Sequence, residues 1–157
     1  MLRSLGVALA TGFGLGLSPV ASGTVGALLG IPLVYAMSCL PLAGQVAAAL
    51  ALVLVAIPVC QAGENHYGTK DDGRIVADEY LSFPLCMLGL PLVPWVLAMA
   101  FLTSRVLDII KPPPAMQFQK LRGGLGIVAD DAMSTLYALL LNHILYAVLV
   151  RAGQLST

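Results

Sequence analysis

Sixty consecutive residues, from Ser4 to Gly63, carry no formal charge. Two further uncharged runs follow, Tyr80–Ser104 and Ala132–Val150. A water-soluble chain must place polar and charged groups regularly along its length to cover its surface, and this one does not. Only 10% of its residues are charged, against about 25% in an ordinary soluble domain, while 59% are hydrophobic. A lipid bilayer is the solvent that such a pattern implies. With 157 residues the chain has room for one domain, so residues 1–157 are expected to form a single membrane-embedded unit.

The net charge is zero, so there is no basic field to hold nucleic acid by its phosphates. Cys39, Cys60 and Cys86 lie in apolar surroundings without CxxC spacing, which excludes a disulfide framework and a zinc site and leaves buried thiols. Arg3 before an apolar stretch, with Val20-Ala21-Ser22 beyond, has the outline of a signal peptide. Gly6, Gly12, Gly14 and Gly16 interrupt that stretch, however, and the apolar sequence runs on past it. The segment is expected to stay in the protein.

Punctuation by proline and glycine divides the apolar blocks. Thr24–Leu40 reads as a helix with Thr24 as N-cap, Pro32 as a kink and Pro41 as its end. Gln45–Gln61 reads as a second helix, antiparallel to the first through the short link Pro41–Gly44. Ala132–Val150 reads as the last. The middle block holds Pro91 and Pro94, which break a helical ladder. A short helical hairpin over Asp78–Ile110 is therefore favoured, its arms running from Asp78 to Leu90 and back from Trp95. The first arm is too short to cross the roughly 30 Å of hydrocarbon. The fold class expected is all-α, a polytopic membrane helical bundle. A hairpin keeps the charged loops near 62–79 and 104–131 on the side of the N-terminus. Seven of the eight Lys and Arg residues then share that side, which the positive-inside rule makes cytoplasmic.

Carboxylates are costly beside a membrane core unless paired or bound to a cation. Asp78-Glu79 opens one apolar stretch and Asp130-Asp131 another, while Asp108 and Lys111 share a helix face at i,i+3. One acid at a helix start is explained by the helix dipole; two adjacent doublets plus Asp108 at one interface are not. Hard oxygen ligands from several elements suit Mg²⁺, completed by water and a phosphate. Two glycine-rich stretches, Ser18–Gly26 and Gly123-Gly124-Leu125-Gly126, read as turns that let backbone approach an anion, the first at Gly23-Thr24. His66 reads as a loop residue. Asn142 and His143 read as polar contacts between helices.

Four segments, taken together, resemble the phosphatidylglycerophosphatase A family. They are Ala10–Gly14 with Pro19 and Gly23–Gly26, then Asp72–Glu79, then Arg105–Pro114, and finally Gly123–Asp131, in the family's order and spacing. The chain departs from the family's usual pattern at Ser22, at Leu81-Ser82 and at Ser104, none of which removes a charge. The resemblance implies a Mg²⁺-dependent lipid phosphatase of the bacterial inner membrane, with its site facing the cytoplasm, that converts phosphatidylglycerophosphate to phosphatidylglycerol. Its partners are then the phospholipid substrate and the bilayer, and an oligomer is open.

Cys86 lacks an Arg six positions on, no Asp-x-Asp pair exists, and the two histidines are not placed as nucleophiles. Direct attack by a metal-activated water is what remains. On that reading Asp78, Glu79, Asp130 and Asp131 bind one or two Mg²⁺, directly or through water, and Lys111 and Arg105 hold the monoester. Asp108 orients Lys111 or acts as base, and Gly23-Thr24 offers N–H groups to phosphate. Glu64 and Asp71 read as solvated loop acids, and Asp72 stands open between the two. The acyl tails are expected in the bilayer beside the hairpin. A small transporter would want acids in mid-span, and a non-catalytic assembly protein leaves the acid doublets and Lys111 without a role.

Overall fold

The computed structural model describes residues 2–153, with side chains from Ser4 onward. Among the described residues the regular structure is entirely helical. The elements are α1 (Leu2–Ala10), α2 (Ser22–Ala27), α3 (Gly30–Met37), α4 (Leu42–Tyr67), α5 (Ala77–Ser82), α6 (Pro94–Ile110), α7 (Ala115–Phe118) and α8 (Gly123–Arg151). Short 3₁₀ turns lie at Leu15–Leu17 and Phe83–Met87.

Two helices, α4 and α8, are long and apolar enough to cross a membrane. At 26 and 29 residues they reach about 39 and 43 Å at 1.5 Å per residue. Each exceeds the expected span because it continues past its apolar block. The helix expected over Gln45–Gln61 runs on through Glu64 and His66, so His66 lies in a last helical turn and not in a loop. The helix expected to begin at Ala132 begins at Gly123. Gly123-Gly124-Leu125-Gly126 is therefore not a turn. A Cβ at Gly124 would overlap the carbonyl oxygen of Ile57, and the Gly124 N–H donates to the Gln61 side chain at 3.0 Å. The missing side chain lets α8 lie directly on α4, and tertiary packing overrides the poor helix propensity of glycine.

The helix expected over Thr24–Leu40 is two short ones. Pro32 has no N–H for the carbonyl of Leu28, which accepts instead from Ile31 at 3.1 Å, and the chain breaks at Leu28-Leu29. Thr24 is not the N-cap; Ala21, in the left-handed region at φ 47°, holds that place. Cys60 and Cys86 are buried as expected, but Cys39 is exposed.

The hairpin is present. Its first arm is α5 with the 3₁₀ turn to Met87, its tip is the segment from Leu88 to Val93, and its second arm is α6. Asn142 donates to the carbonyl of Cys86 at 3.2 Å and accepts from Thr103 at 2.6 Å, while the His143 ring lies 2.9 Å from the carbonyl of Leu88. Helix α8 thus ties both arms and the tip through Asn142 and His143, which were expected as polar contacts between helices. The tip meets α8 twelve residues beyond Asp131, about 18 Å along the axis, short of a full crossing. An apolar cluster around Phe83, Cys86, Val96, Ala100 and Ala138 packs the hairpin against α8.

Candidate active site

Asp78 and Glu79 stand in the first turn of α5, where helix N-terminal charge favours acids. The segment before them is fixed by close backbone approach: the Val76 N–H donates to the carbonyl of Ala10 at 2.8 Å, and a Cβ at Gly26 would overlap the Val76 side chain. Asp130 and Asp131 do not open a helix. They lie about two turns inside α8, buried, immediately before its uncharged stretch. Glycines at the start of α8 set that depth by seating its first turn on α4.

Arg105 and Asp108 come from the last turns of α6. Lys111 caps that helix in the left-handed region at φ 46°. A residue before proline is pushed from the right-handed helical region, so Pro112 stops the helix there. The proline run then turns the chain back, and the hydroxyl of Tyr137 on α8 donates to the carbonyl of Pro113 at 2.9 Å. The Lys111 ammonium is thereby delivered to α8.

These residues meet. Arg105 donates to Glu79 at 2.8 Å and lies 3.3 Å from Asp108. Lys111 lies 3.9 Å from Asp108 and hydrogen-bonds Asp130. Asp131 adjoins Asp108, and Asp78 lies within the field of Glu79, Asp71, Asp108 and Asp130. Burial, and then the neighbouring carboxylates, push Asp78 well above the usual carboxylate range. Burial lifts Glu79 to about 7 against the pull of Arg105. Burial works against the Lys111 charge, but its bond to Asp130 and the fields of Asp108 and Asp131 prevail and raise it. Both cations stay protonated.

Five carboxylates thus face two cations. Buried Oδ1 atoms of Asp108 and Asp130 have no hydrogen-bond partner among the described residues. Excess negative charge and spare hard oxygens are the chemistry that a divalent cation satisfies. No three His, Cys, Asp or Glu side chains among the described residues enclose an ion by themselves.

The remaining expectations separate. Gly23 lies against Glu79, so closely that a Cβ would overlap its carboxylate. The absent side chain at Gly23 makes room for Glu79, and Thr24 makes no capping bond. Asp72 pairs with Arg74 at 2.7 Å, and Asp71 accepts from Gln119 at 3.1 Å. The three departures from the family pattern are all buried or bonded. Ser22 donates to the carbonyl of Gly73 at 2.7 Å, Ser104 donates to that of Phe101 at 2.9 Å, and Ser82 is fully buried.

Sequence reasoning missed Ser134. It is fully buried one turn beyond Asp130 and Asp131, as Ser82 is one turn beyond Asp78, and neither hydroxyl has a hydrogen-bond partner among the described residues. The i,i+4 spacing of Asp78 and Ser82 and of Asp130 and Ser134 was the available signal.

The phosphatidylglycerophosphatase A family model matches residues 8–146. The chain is 35% identical over 128 residues to phosphatidylglycerophosphatase A of Escherichia coli, covering 80% of this chain and 74% of that one. It is 36% identical over 136 residues to the Haemophilus influenzae protein of the same name, covering 84% and 83%. It is also 33% identical over 145 residues to a putative phosphatidylinositol-3-phosphatase of Bacteroides thetaiotaomicron, covering 87% and 91%. No solved structure matches significantly. A helical protein whose acids and cations converge at one end of its long apolar helices is, by these comparisons, a phosphatase. The chain belongs to the phosphatidylglycerophosphatase A family.

Proposed function

We propose that the protein hydrolyses the terminal phosphomonoester of phosphatidylglycerophosphate to phosphatidylglycerol and inorganic phosphate, with Mg²⁺, at the cytoplasmic face of a bacterial inner membrane. The observation that carries this is the meeting of Asp78, Glu79, Asp108, Arg105, Lys111, Asp130 and Asp131 from three elements. The names of the two phosphatidylglycerophosphatase A relatives supply the substrate.

Arg105 and Lys111 bind the non-bridging phosphate oxygens, exchanging part of their pairing with Glu79 and Asp130 for the ligand. Asp108 lies beside both cations and holds their spacing; its Oδ1, 3.9 Å from the Lys111 ammonium and without a hydrogen bond among the described residues, accepts the proton of the attacking water. Asp78 and Asp131, which have no cationic partner among the described residues, hold Mg²⁺, with Glu79 and Asp130 alongside. When bound, Mg²⁺ neutralises phosphoryl oxygens and acidifies water. The attacking oxygen becomes part of the phosphate, the bond from phosphorus to the glycerol oxygen breaks, and Asp108 returns its proton to that leaving oxygen.

The test is phosphate release by the purified protein in detergent, with Mg²⁺ and with EDTA, beside Asp131→Asn. Turnover of phosphatidylglycerophosphate that needs Mg²⁺ and is lost in the variant supports the proposal. Well-folded protein that releases no phosphate from it overturns the substrate. Faster release from phosphatidylinositol 3-phosphate would favour the activity in the name of the Bacteroides relative. Release that survives EDTA and the variant overturns the mechanism.

A further inference from the structure

An apolar groove of about 400 Å³ lies between α3 and α6, outside the polar cluster. Leu28, Ile31 and Tyr35 form one wall and Leu97, Phe101 and Leu102 the other. Phe83 supports it from below: it meets Phe101 edge-on at 5.8 Å, and Gly30 lets α3 close onto its ring. The groove's only polar group is the Tyr35 hydroxyl, which belongs to a residue more than half exposed.

Its position relative to the site decides its use. Leu28 is one turn beyond Thr24 on the strand of chain that brings Gly23 against Glu79, and Phe101 is one turn before Arg105. The same pair of segments that supports the Glu79–Arg105 contact therefore becomes, one turn on, the two walls of the groove. From there the walls run antiparallel for about 10 Å at 1.5 Å per residue, to Tyr35 and Pro94.

We propose that this groove seats one acyl chain of the lipid phosphomonoester whose phosphate binds at Arg105 and Lys111. The inference rests on the proposed function and adds the place where the tail lies. An uncharged wall that starts within one helical turn of the phosphate-binding cation suits a ligand with a charged head and an apolar tail. A soluble phosphomonoester would leave the groove without use.

The experiment is kinetic and uses the full chain in mixed micelles. Ala98, in the groove and exposed, is replaced by Trp to fill it. Leu140→Trp, at an exposed site on α8 away from the groove, is the control. For Ala98→Trp we expect kcat/KM on a long-chain diacyl substrate to fall about tenfold, the loss that two buried methylenes correspond to. On the dihexanoyl analogue it should stay within about twofold, and Leu140→Trp should change neither. No loss on the long chain, or equal loss on both substrates, overturns the proposal. If wild-type protein hydrolyses neither lipid, the proposed function fails instead. Should Ala98→Trp not fold, photolabelling of the wild type decides. A substrate with a diazirine in its acyl chain should label residues 28–35 and 94–102 above α4, and a diazirine phosphatidylcholine should not. Equal labelling by both lipids would make the groove an ordinary lipid-facing surface.

Discussion

Glu79 on the first arm of the hairpin and Arg105 on the second meet at 2.8 Å, with side chains only 14% and 12% exposed. This contact closes the hairpin at its open end, as Asn142 and His143 hold it near the tip. It also aims the Arg105 guanidinium at the space between α5, α6 and α8.

Removing one partner leaves an uncompensated, mostly buried charge. Arg105→Gln should destabilise the protein by about 3–5 kcal/mol and abolish activity. Glu79→Gln with Arg105→Gln should recover much of the stability and none of the turnover. Thermal unfolding in detergent beside phosphate release checks both, and a double variant that regains activity would remove Arg105 from the site.

Lys111 is held by Asp130 and by the proline turn behind it. Lys111→Met should lower kcat/KM by about 10²–10³-fold, the usual cost of losing a charge-stabilising donor. Asp130→Asn should have a similar effect, and the double variant little more, because the two act as one unit. Losses that multiply would show that the contact is incidental.

Metal binding should depend on Asp78 and Asp131. Asp131→Asn should weaken Mg²⁺ binding by at least the 10–100-fold that changes around a metal site bring. Asp72→Asn, whose carboxylate is engaged by Arg74 away from the cluster, should leave it unchanged. Calorimetric titration with Mg²⁺ alone reads both, and equal affinities would separate the metal from these acids.

Burial pushes the Glu79 carboxyl up from 4.5 to about 7. A carboxylate raised on folding supports the folded state while it is protonated. Its contribution is complete below about 4.5 and is lost as pH rises through about 7. Metal-free protein should therefore melt at a lower temperature above this window than below it, and Mg²⁺ should flatten the dependence. A melting temperature that rises with pH across the window would contradict the burial of Glu79.

Gly124→Ala places a Cβ on the backbone of α4, which cannot yield as a flexible side chain can. It should cost about 1–3 kcal/mol, the usual range for overpacking. The nearest atoms to a Cβ in Gly23→Ala are those of the Glu79 carboxylate, so it should impair activity more than stability. The reverse order in melting and turnover would refute this division.

The polar cluster was legible in the sequence because charge is so scarce in this chain that each cluster of acids stands out. The hairpin was legible because Pro91 and Pro94 exclude a continuous helix. Neither reasoning reached the glycines of α8. Three in four residues read as a turn by local propensity, and only the position of Ile57 on another helix shows that they are a packing surface. The break at Leu28-Leu29 was foreshadowed by Pro32, but it falls at the carbonyl left without its partner and not at the proline. Ser82 and Ser134 were hidden because serine on a helix has no strong preference, and their register matters only once Asp78 and Asp130 are known to be neighbours.

Helix α8 carries Asp131 and Arg151 on one unbroken rod, twenty residues apart. At 1.5 Å each this is about 30 Å, the thickness of a hydrocarbon layer. Were it to cross a bilayer, the helix would be a ruler: Arg151 would set its far mark in the opposite headgroups, and the near mark would fix how deep the acids sit. Membrane thickness would then be a variable of the reaction, because a thicker bilayer would draw the carboxylates below the plane where a phosphate is carried.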